Sequence, residues 1–387
     1  MKRLIALLLM SVLAAQALTA CSSGASSNVI KIGEAVALTG DNSAWGLSEN
    51  KALQMEIDKI NKAGGVIGKQ LQLVAYDTRA DATEGVNVTQ RLINEGVCAI
   101  IGPGQSGVAI AMTAVTEPGK VPFIATSATN PKVTVNDQTN QVYKYSFRTC
   151  FIDPFQGTVA AQFVYKDLNL KNAAIIYDVG SDYSSFLGKY FTDEFQRLGG
   201  TIVANEAFRS GELDFHAILG KIKGTNPDVM FIPLMQKEAS LVMKQSAELG
   251  IKCQFIGGDG WASPDLITLG GDAVEGSFFV NVASLEDPDI QTFVADYKAK
   301  YNEEPVLPNP IMAIDGLLAV VHCIEQNNGA DPVKIAASLE QIKDLQVLSG
   351  LLTIDPATHN PLNKPAMIQQ VKNGQFILFK KYVTTSD

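Results

Sequence analysis

Residues 102 to 131 carry the side chains best suited to holding an anion. Gly102, Gly104 and Gly107 spell G-x-G-x-x-G with Ser106 inside the pattern, and a second cluster of small and hydroxyl residues runs Ser127-Ala128-Thr129-Asn130-Pro131. Each cluster follows a short apolar run, at 97–101 and 121–125. A parallel strand that stops in a small-residue loop before a helix is where α/β proteins hold ligands. Free N–H groups at a helix start, joined by hydroxyls, suit a phosphate or a carboxylate. A dinucleotide fingerprint needs an acid about 20 residues further on, at the end of the next strand. That strand ends Ala125-Thr126-Ser127-Ala128 and offers none. The glycines therefore read as a tight turn with room for a small ligand. Ser106 also reads as a helix cap, a position that is itself an anion site. On local sequence alone Thr129, ahead of Asn130-Pro131, reads as a turn residue.

Other chemistries find little support. The net charge of −9 argues against a nucleic-acid partner. His216, His322 and His359 lie far apart, with no H-E-x-x-H and no paired Cys spacing, so no metal is expected. There is no G-x-S-x-G, because Ser106 is followed by Gly107-Val108, and Gly65-Val66-Ile67-Gly68-Lys69-Gln70 lacks the spacing and hydroxyl of a phosphate loop. Neither an enzyme nor a cofactor is expected.

The first twenty residues read as a leader. Lys2 and Arg3 precede an apolar run at 4–17, too short for a comfortable membrane span, and Leu18-Thr19-Ala20 precedes Cys21. This ending resembles a bacterial lipobox, which implies a lipid on Cys21 and a short Ser-rich tether over 21–28. Export would permit disulfides. However, Cys98 sits in an apolar strand and Cys323 in an apolar helix pattern, so both read as small core residues and no disulfide is expected.

The elements that position the clusters alternate strand and helix. With 387 residues and 46% apolar content, the chain is long enough for two or three cores. Strands are expected at 28–38, 70–77, 97–101 and 121–125, with helices between them; the first helix has Leu53, Ile57 and Ile60 near helical spacing and stops at Gly64-Gly65. The alternation restarts after Asp153-Pro154, with strands at 173–177, 201–207, 229–234 and 255–257. This is an α/β chain of two doubly wound parallel-sheet lobes. Three helical stretches follow, at 289–301, 311–326 and 331–342. The segments 351–355 and 367–382 then alternate like a closing hairpin, with Lys372-Asn373-Gly374 as its turn. The expected lobes are 29–147 plus 282–348, and 148–281 plus 349–387, joined by a multi-crossing hinge. Such lobes can close on a ligand.

At this point the residues resemble the branched-chain amino acid type of ABC-importer substrate-binding protein, in the periplasmic binding protein type I family. The matching segments include Ile32-Gly33 to Leu38-Thr39-Gly40, Trp45-Gly46, and Asp58 through Ala63-Gly64-Gly65. Further matches are Tyr76-Asp77, Ile101-Gly102-Pro103, Ala128-Thr129-Asn130-Pro131, Phe147-Arg148 with Asp153 and Gln156-Gly157, and Gly270 through Gly276. Their number and order cover essentially the whole chain beyond the leader. The resemblance implies a serine hydroxyl on the ligand α-carboxylate, which falls on Ser106. It implies a carbonyl and a threonine at the next strand's end, which fall on Ala128 and Thr129 with Ser127 adjacent. From the second lobe it implies Tyr183 and an acid for the α-ammonium, which falls on Asp259, where family members often carry glutamate. Trp45 matches an aromatic that packs on the ligand side chain. Two family tyrosines are missing, at Pro233-Leu234-Met235-Gln236 and at Leu307-Pro308-Asn309-Pro310. Gln236 or Asn309 could meet a polar group there, and Met235 an apolar one. Without the resemblance, Asp259 would read as a solvated loop acid and Tyr183 as a core residue.

The implied protein is a monomeric, lipid-anchored binding protein outside the membrane, capturing an amino acid or a similar small ligand. Its partners would be an ABC permease and its ATPases. Two alternatives share the pocket: a ligand-sensing lobe for a signalling receptor, and a binder of a small carboxylate or amide that is not an α-amino acid.

Overall fold

A computed structural model describes residues 28–382. The leader, Cys21 and nearly all of the tether therefore lie outside the described residues. The first lobe contains β1 (Val29–Val36), α1 (Ser43–Lys62), β2 (Gln70–Asp77), α2 (Ala82–Asn94), β3 (Ala99–Ile101), α3 (Ser106–Gly119), β4 (Phe123–Ala125) and β5 (Ser146–Arg148). Its five strands are parallel, in the order β2-β1-β3-β4-β5. The second lobe begins with α4 (Asp153–Gln162), β6 (Asn172–Asp178), α5 (Asp182–Arg197), β7 (Thr201–Phe208) and α6 (His216–Gly224). It continues with β8 (Val229–Ile232), α7 (Gln236–Glu248), β9 (Gln254–Gly257), α8 (Pro264–Gly270) and β10 (Phe278–Asn281). Its parallel strands run β7-β6-β8-β9-β10, so the winding of the first lobe is used a second time.

Local signals explain where the helices begin and end. The Asp81 side chain accepts a hydrogen bond from the Glu84 N–H ahead of α2, and Ser181 does the same for Ser184 ahead of α5. Past α1, Gly64 and Gly65 both take positive φ, at 113° and 75°, which glycine adopts without a Cβ penalty.

The last third follows as α9 (Gln291–Tyr301), α10 (Pro310–Asn327) and α11 (Pro332–Leu339), then the short ribbon β11 (Leu345–Val347) and β12 (Gly350–Leu352), then β13 (Ala366–Lys372) and β14 (Gln375–Tyr382). Ala313, Leu317, Val320 and Ile324 of α10 share a core with Ile32, Ile101 and Ile124 of the first sheet, as expected for helices returning to the first lobe. On the same helix, Ile311, Met312 and Ile314 join the core of the second lobe. α10 thus ties the two lobes together.

The chain's end differs from the expected hairpin in one respect. β13 and β14 do pair across Asn373-Gly374, with Lys372 opposite Gln375, and β13 adds antiparallel to β10. The 351–355 segment is not part of that hairpin. Gly350–Leu352 pairs with Leu345–Val347, and Leu352 and Ile354 sit in the first core. The ring of His359 stacks on Phe147 of β5 at 4.2 Å, with Nδ1 3.0 Å from the Ser146 carbonyl. Residues 350–359 thus pack against the first core. An apolar triplet reads the same in either sheet, and burial against α10 and β5 decides which one it joins. Just past this segment Lys364 Nζ meets Asp315 of α10 at 2.9 Å, and both side chains are buried.

Candidate functional site

In each lobe the strand order reverses at one place: between β1 and β3 in the first, and between β6 and β8 in the second. The loops leaving such a switch point diverge and open a crevice at the strand ends. The two crevices face each other across a cavity of about 450 Å³. Asp41 and Trp45 line it from the segment after β1, Gly104 to Ser106 from the loop after β3, and Ser127 from the loop after β4. The second lobe contributes Gly180 to Ser184 after β6, Leu234 to Lys237 after β8, and Asp259 with Gly260 after β9.

On the first-lobe side, Ser106 is the first residue of α3, and Gln105 holds the cap position expected for the serine. Four N–H groups at a helix start lack intrahelical acceptors, so the serine and the open end of α3 face the same space. Ser106 Oγ accepts from the Asn130 N–H at 3.3 Å. Among the described residues, Ser127 Oγ is buried without a partner, as is Gln105 Oε1. Ala128 and Thr129 lie one layer behind, fully buried and off the cavity wall. The Ala128 carbonyl already accepts from Arg148 Nη1 at 2.8 Å, whereas Thr129 Oγ1 is among the unpartnered buried atoms. Gly102 takes φ +93°, and a Cβ there would stand 2.6 Å from the Ala35 carbonyl, so the loop after β3 requires glycine at that position.

On the second-lobe side, the Gly260 N–H donates to Tyr183 Oη at 3.1 Å, and Gln156 Nε2 donates to Asp259 Oδ1 at 2.9 Å. A Cβ on Gly258 would meet Tyr183 Oη at 2.5 Å and Leu187 at 2.6 Å; glycine here lets the turn carrying Asp259 sit against α5. Trp45 is in the first turn of α1, not in a loop. It packs into a second-lobe cluster with Leu234, and its Nε1 donates to Gln236 Oε1 at 3.3 Å. Gln236 Nε2 donates to the Asp41 carbonyl, and Lys237 pairs with the Asp41 carboxylate at 2.6 Å. At the opposite rim Asn130 Nδ2 donates to the Asp182 carbonyl at 2.8 Å. The lobes are thus closed on each other. Asn309 does not face the ligand space: it is fully buried and donates to Glu49 Oε1 at 2.6 Å. Trp261 is core, with its Nε1 on the Ile232 carbonyl.

Buried acids dominate the electrostatics. Burial pushes Asp259 up to about 6, against Gln156 and Tyr183, which hold it down. Burial raises Asp153 to about 8, Glu34 to about 8 and Glu49 to about 7. Glu49 accepts from Thr126 and Asn309 directly behind Gly104, and so braces the loops after β3 and β4. Acids raised in this way hold protons in the folded chain that the unfolded chain has released. Their stabilisation is complete below about pH 4 and is lost as pH rises through the folded values. The ligand-free protein should therefore be less stable at pH 8.5 than at pH 6.5, by an amount on the order of a few kcal/mol, and melt at a lower temperature. A melting temperature that is flat or rises over that interval would show these carboxyls to be ionised in the fold.

Sequence reasoning missed Gln105, Gln156, Glu34 and Glu49. Glu34 did carry a signal, as a charge inside the apolar strand Ile32 to Val36. Among the described residues no group of three or more His, Cys, Asp or Glu could hold a metal ion, and Cys98, Cys150, Cys253 and Cys323 are all free. No helix among them is long and apolar enough to cross a membrane.

Known proteins share this arrangement. A model of the periplasmic binding protein family matches residues 29–375. A Leu/Ile/Val-binding protein from Rhizobium johnstonii is 30% identical over 327 residues, which is 84% of this chain and 87% of the relative. The crystal structure of a leucine-binding protein from Thermotoga maritima superposes with a TM-score of 0.84 at 33% identity, over 91% of this chain and 98% of the other. A branched-chain amino acid transporter substrate-binding protein from Streptococcus pneumoniae, solved with isoleucine, gives 0.82 at 30% identity, over 92% and 99%.

Proposed function

The chain belongs to the periplasmic binding protein family, and we propose that it captures an α-amino acid in the interlobe cavity and delivers it to an ABC permease. One observation carries this reading: the cavity between the lobes has the open start of α3 with Ser106 and Ser127 on one wall, and Asp259 on the other. The first wall suits a carboxylate, through N–H groups and hydroxyls with no fixed cation. The second suits an ammonium group, because a buried carboxylate gains most from a cation brought within reach. Ala128 and Thr129 stand behind the carboxylate wall, Tyr183 orients the turn of Asp259, and Gln236 holds Trp45 at the mouth. The Leu/Ile/Val-binding and leucine-binding relatives, and the one solved with isoleucine, support the ligand class. The leader and Leu18-Thr19-Ala20-Cys21 support export with a lipid on Cys21.

Binding to the folded form alone raises the melting temperature. A thermal-shift panel on the soluble domain from Ser22 should give its largest shifts with neutral α-amino acids. No shift with any amino acid, alongside shifts with carboxylates that lack an amine, would reverse the assignment of Asp259. Replacing Ser106 by alanine should weaken the best ligand by about 1–2 kcal/mol, the cost of one hydrogen bond to a charged group. An unchanged affinity would remove Ser106 from the carboxylate wall.

A further inference from the structure

Gln236 lines the cavity, yet both ends of its side-chain amide are spent on the opposite lobe. It is buried at the start of α7 and reaches across to the start of α1. Its Oε1 accepts from Trp45 Nε1 at 3.3 Å, and its Nε2 donates to the Asp41 carbonyl at 3.1 Å. The next residue, Lys237, pairs with the Asp41 carboxylate at 2.6 Å. Two consecutive residues thus clasp a segment 191 to 196 positions away in the chain. Trp45 completes the clasp, because it is buried among second-lobe side chains such as Leu234. Every one of these contacts joins the two lobes, so none survives their parting.

The parts of the clasp do not weigh equally. The side chains of Lys237 and Asp41 are 38% and 68% exposed, and an ion pair that wet contributes little and is screened by salt. The amide bonds are made by a buried side chain, and parting the lobes also returns the Trp45 ring to water. Gln236 and Trp45 therefore hold the lobes, and Lys237 adds a minor share. Such contacts form only after the lobes have met. They bear on release rather than on capture, and release is where related complexes differ most.

We infer that Gln236 is a positioning residue that acts through Trp45 and the Asp41 carbonyl to keep the cavity shut, and that this clasp sets how long a bound ligand stays. No contact with the ligand is asked of Gln236. The inference rests on the α-amino acid reading above and adds a residence time to it.

The test is a chase experiment on the soluble domain. Bound radiolabelled leucine is displaced by excess unlabelled leucine, and the association rate is measured separately. Gln236→Leu should release leucine roughly tenfold faster, with association within about threefold of wild type. Trp45→Phe removes the same hydrogen bond from the other lobe and keeps a ring, so it too should speed release. The double variant should then fall short of the product of the two single effects. Lys237→Met should speed release less than Gln236→Leu does, and its effect should vanish at high salt. Wild-type release from Gln236→Leu, or slowed association with release unchanged, overturns the clasp while leaving the ligand class intact. Single effects that multiply in the double variant also overturn it. No binding by leucine or any other neutral α-amino acid overturns both readings. If Gln236→Leu does not fold, release from Trp45→Phe decides the matter: a wild-type rate overturns the clasp.

Discussion

Asp259→Asn is expected to weaken binding of a neutral α-amino acid by about 2–5 kcal/mol, roughly thirtyfold to several thousandfold. The substitution keeps the shape of the side chain and the hydrogen-bonding capacity towards Gln156 and Tyr183, so the turn after β9 should hold. What it removes is the negative charge. Beside a side chain as buried as that of Asp259, an ammonium without that charge is left with neutral acceptors only. The fold should not suffer, because a buried carboxylate without a cation is itself unfavourable, and burial already pushes Asp259 up to about 6. Calorimetry on the variant reads the loss directly. An affinity within about threefold of wild type would show that Asp259 does not meet the ligand's cation.

The second large effect lies away from the cavity. Lys364→Met should cost about 3–5 kcal/mol of stability, since it strands a buried charge. Asp315 is fully buried in the middle of α10, and Lys364 is 6% exposed. Among the described residues, Asp315 has besides the lysine only the Ser349 N–H at 3.0 Å and the Ser349 hydroxyl. Lys364 Nζ also donates to Ser349 Oγ at 2.5 Å, so one cluster fixes α10, the 349 turn and the approach to β13. Urea unfolding of the single variant should show the loss. The double variant Asp315→Leu/Lys364→Met should recover most of it, because removing both charges removes the desolvation cost too. A single variant as stable as wild type would mean that water reaches Asp315.

Most of the architecture was legible because two periodicities repeat down the chain. Apolar runs such as 229–232 and 173–177 alternate with amphipathic stretches such as 183–198, and glycines close the helices. That pattern dictates parallel strands with helical crossovers. It does not dictate which sheet takes a three-residue strand, and Gly350–Leu352 was misplaced for that reason. Around the cavity, Ser106 and Ser127 stand out in sequence because loop position and residue type agree, whereas Asp259 is marked only by the family resemblance and locally reads as a solvated loop acid. The second layer could not. Asp153 precedes a proline at a helix start, and locally it reads as no more than that. Only the fold buries it, and nothing in the sequence announces that burial. Asp41 and Lys237 are separated by 196 residues, and no local signal pairs them across the cleft. Trp45 finds no core in its local sequence because its packing partners, Leu234 among them, belong to the other lobe.

The contribution of the ammonium can be isolated with two ligands that differ in nothing else: leucine, and the same carboxylic acid without its amine. Titrated into the wild-type soluble domain at pH 7, leucine should bind at least about a hundredfold more tightly, since the charge pair with Asp259 is present for one ligand and absent for the other. Equal affinities, or tighter binding of the amine-free acid, would contradict a cavity built to hold both ends of an α-amino acid.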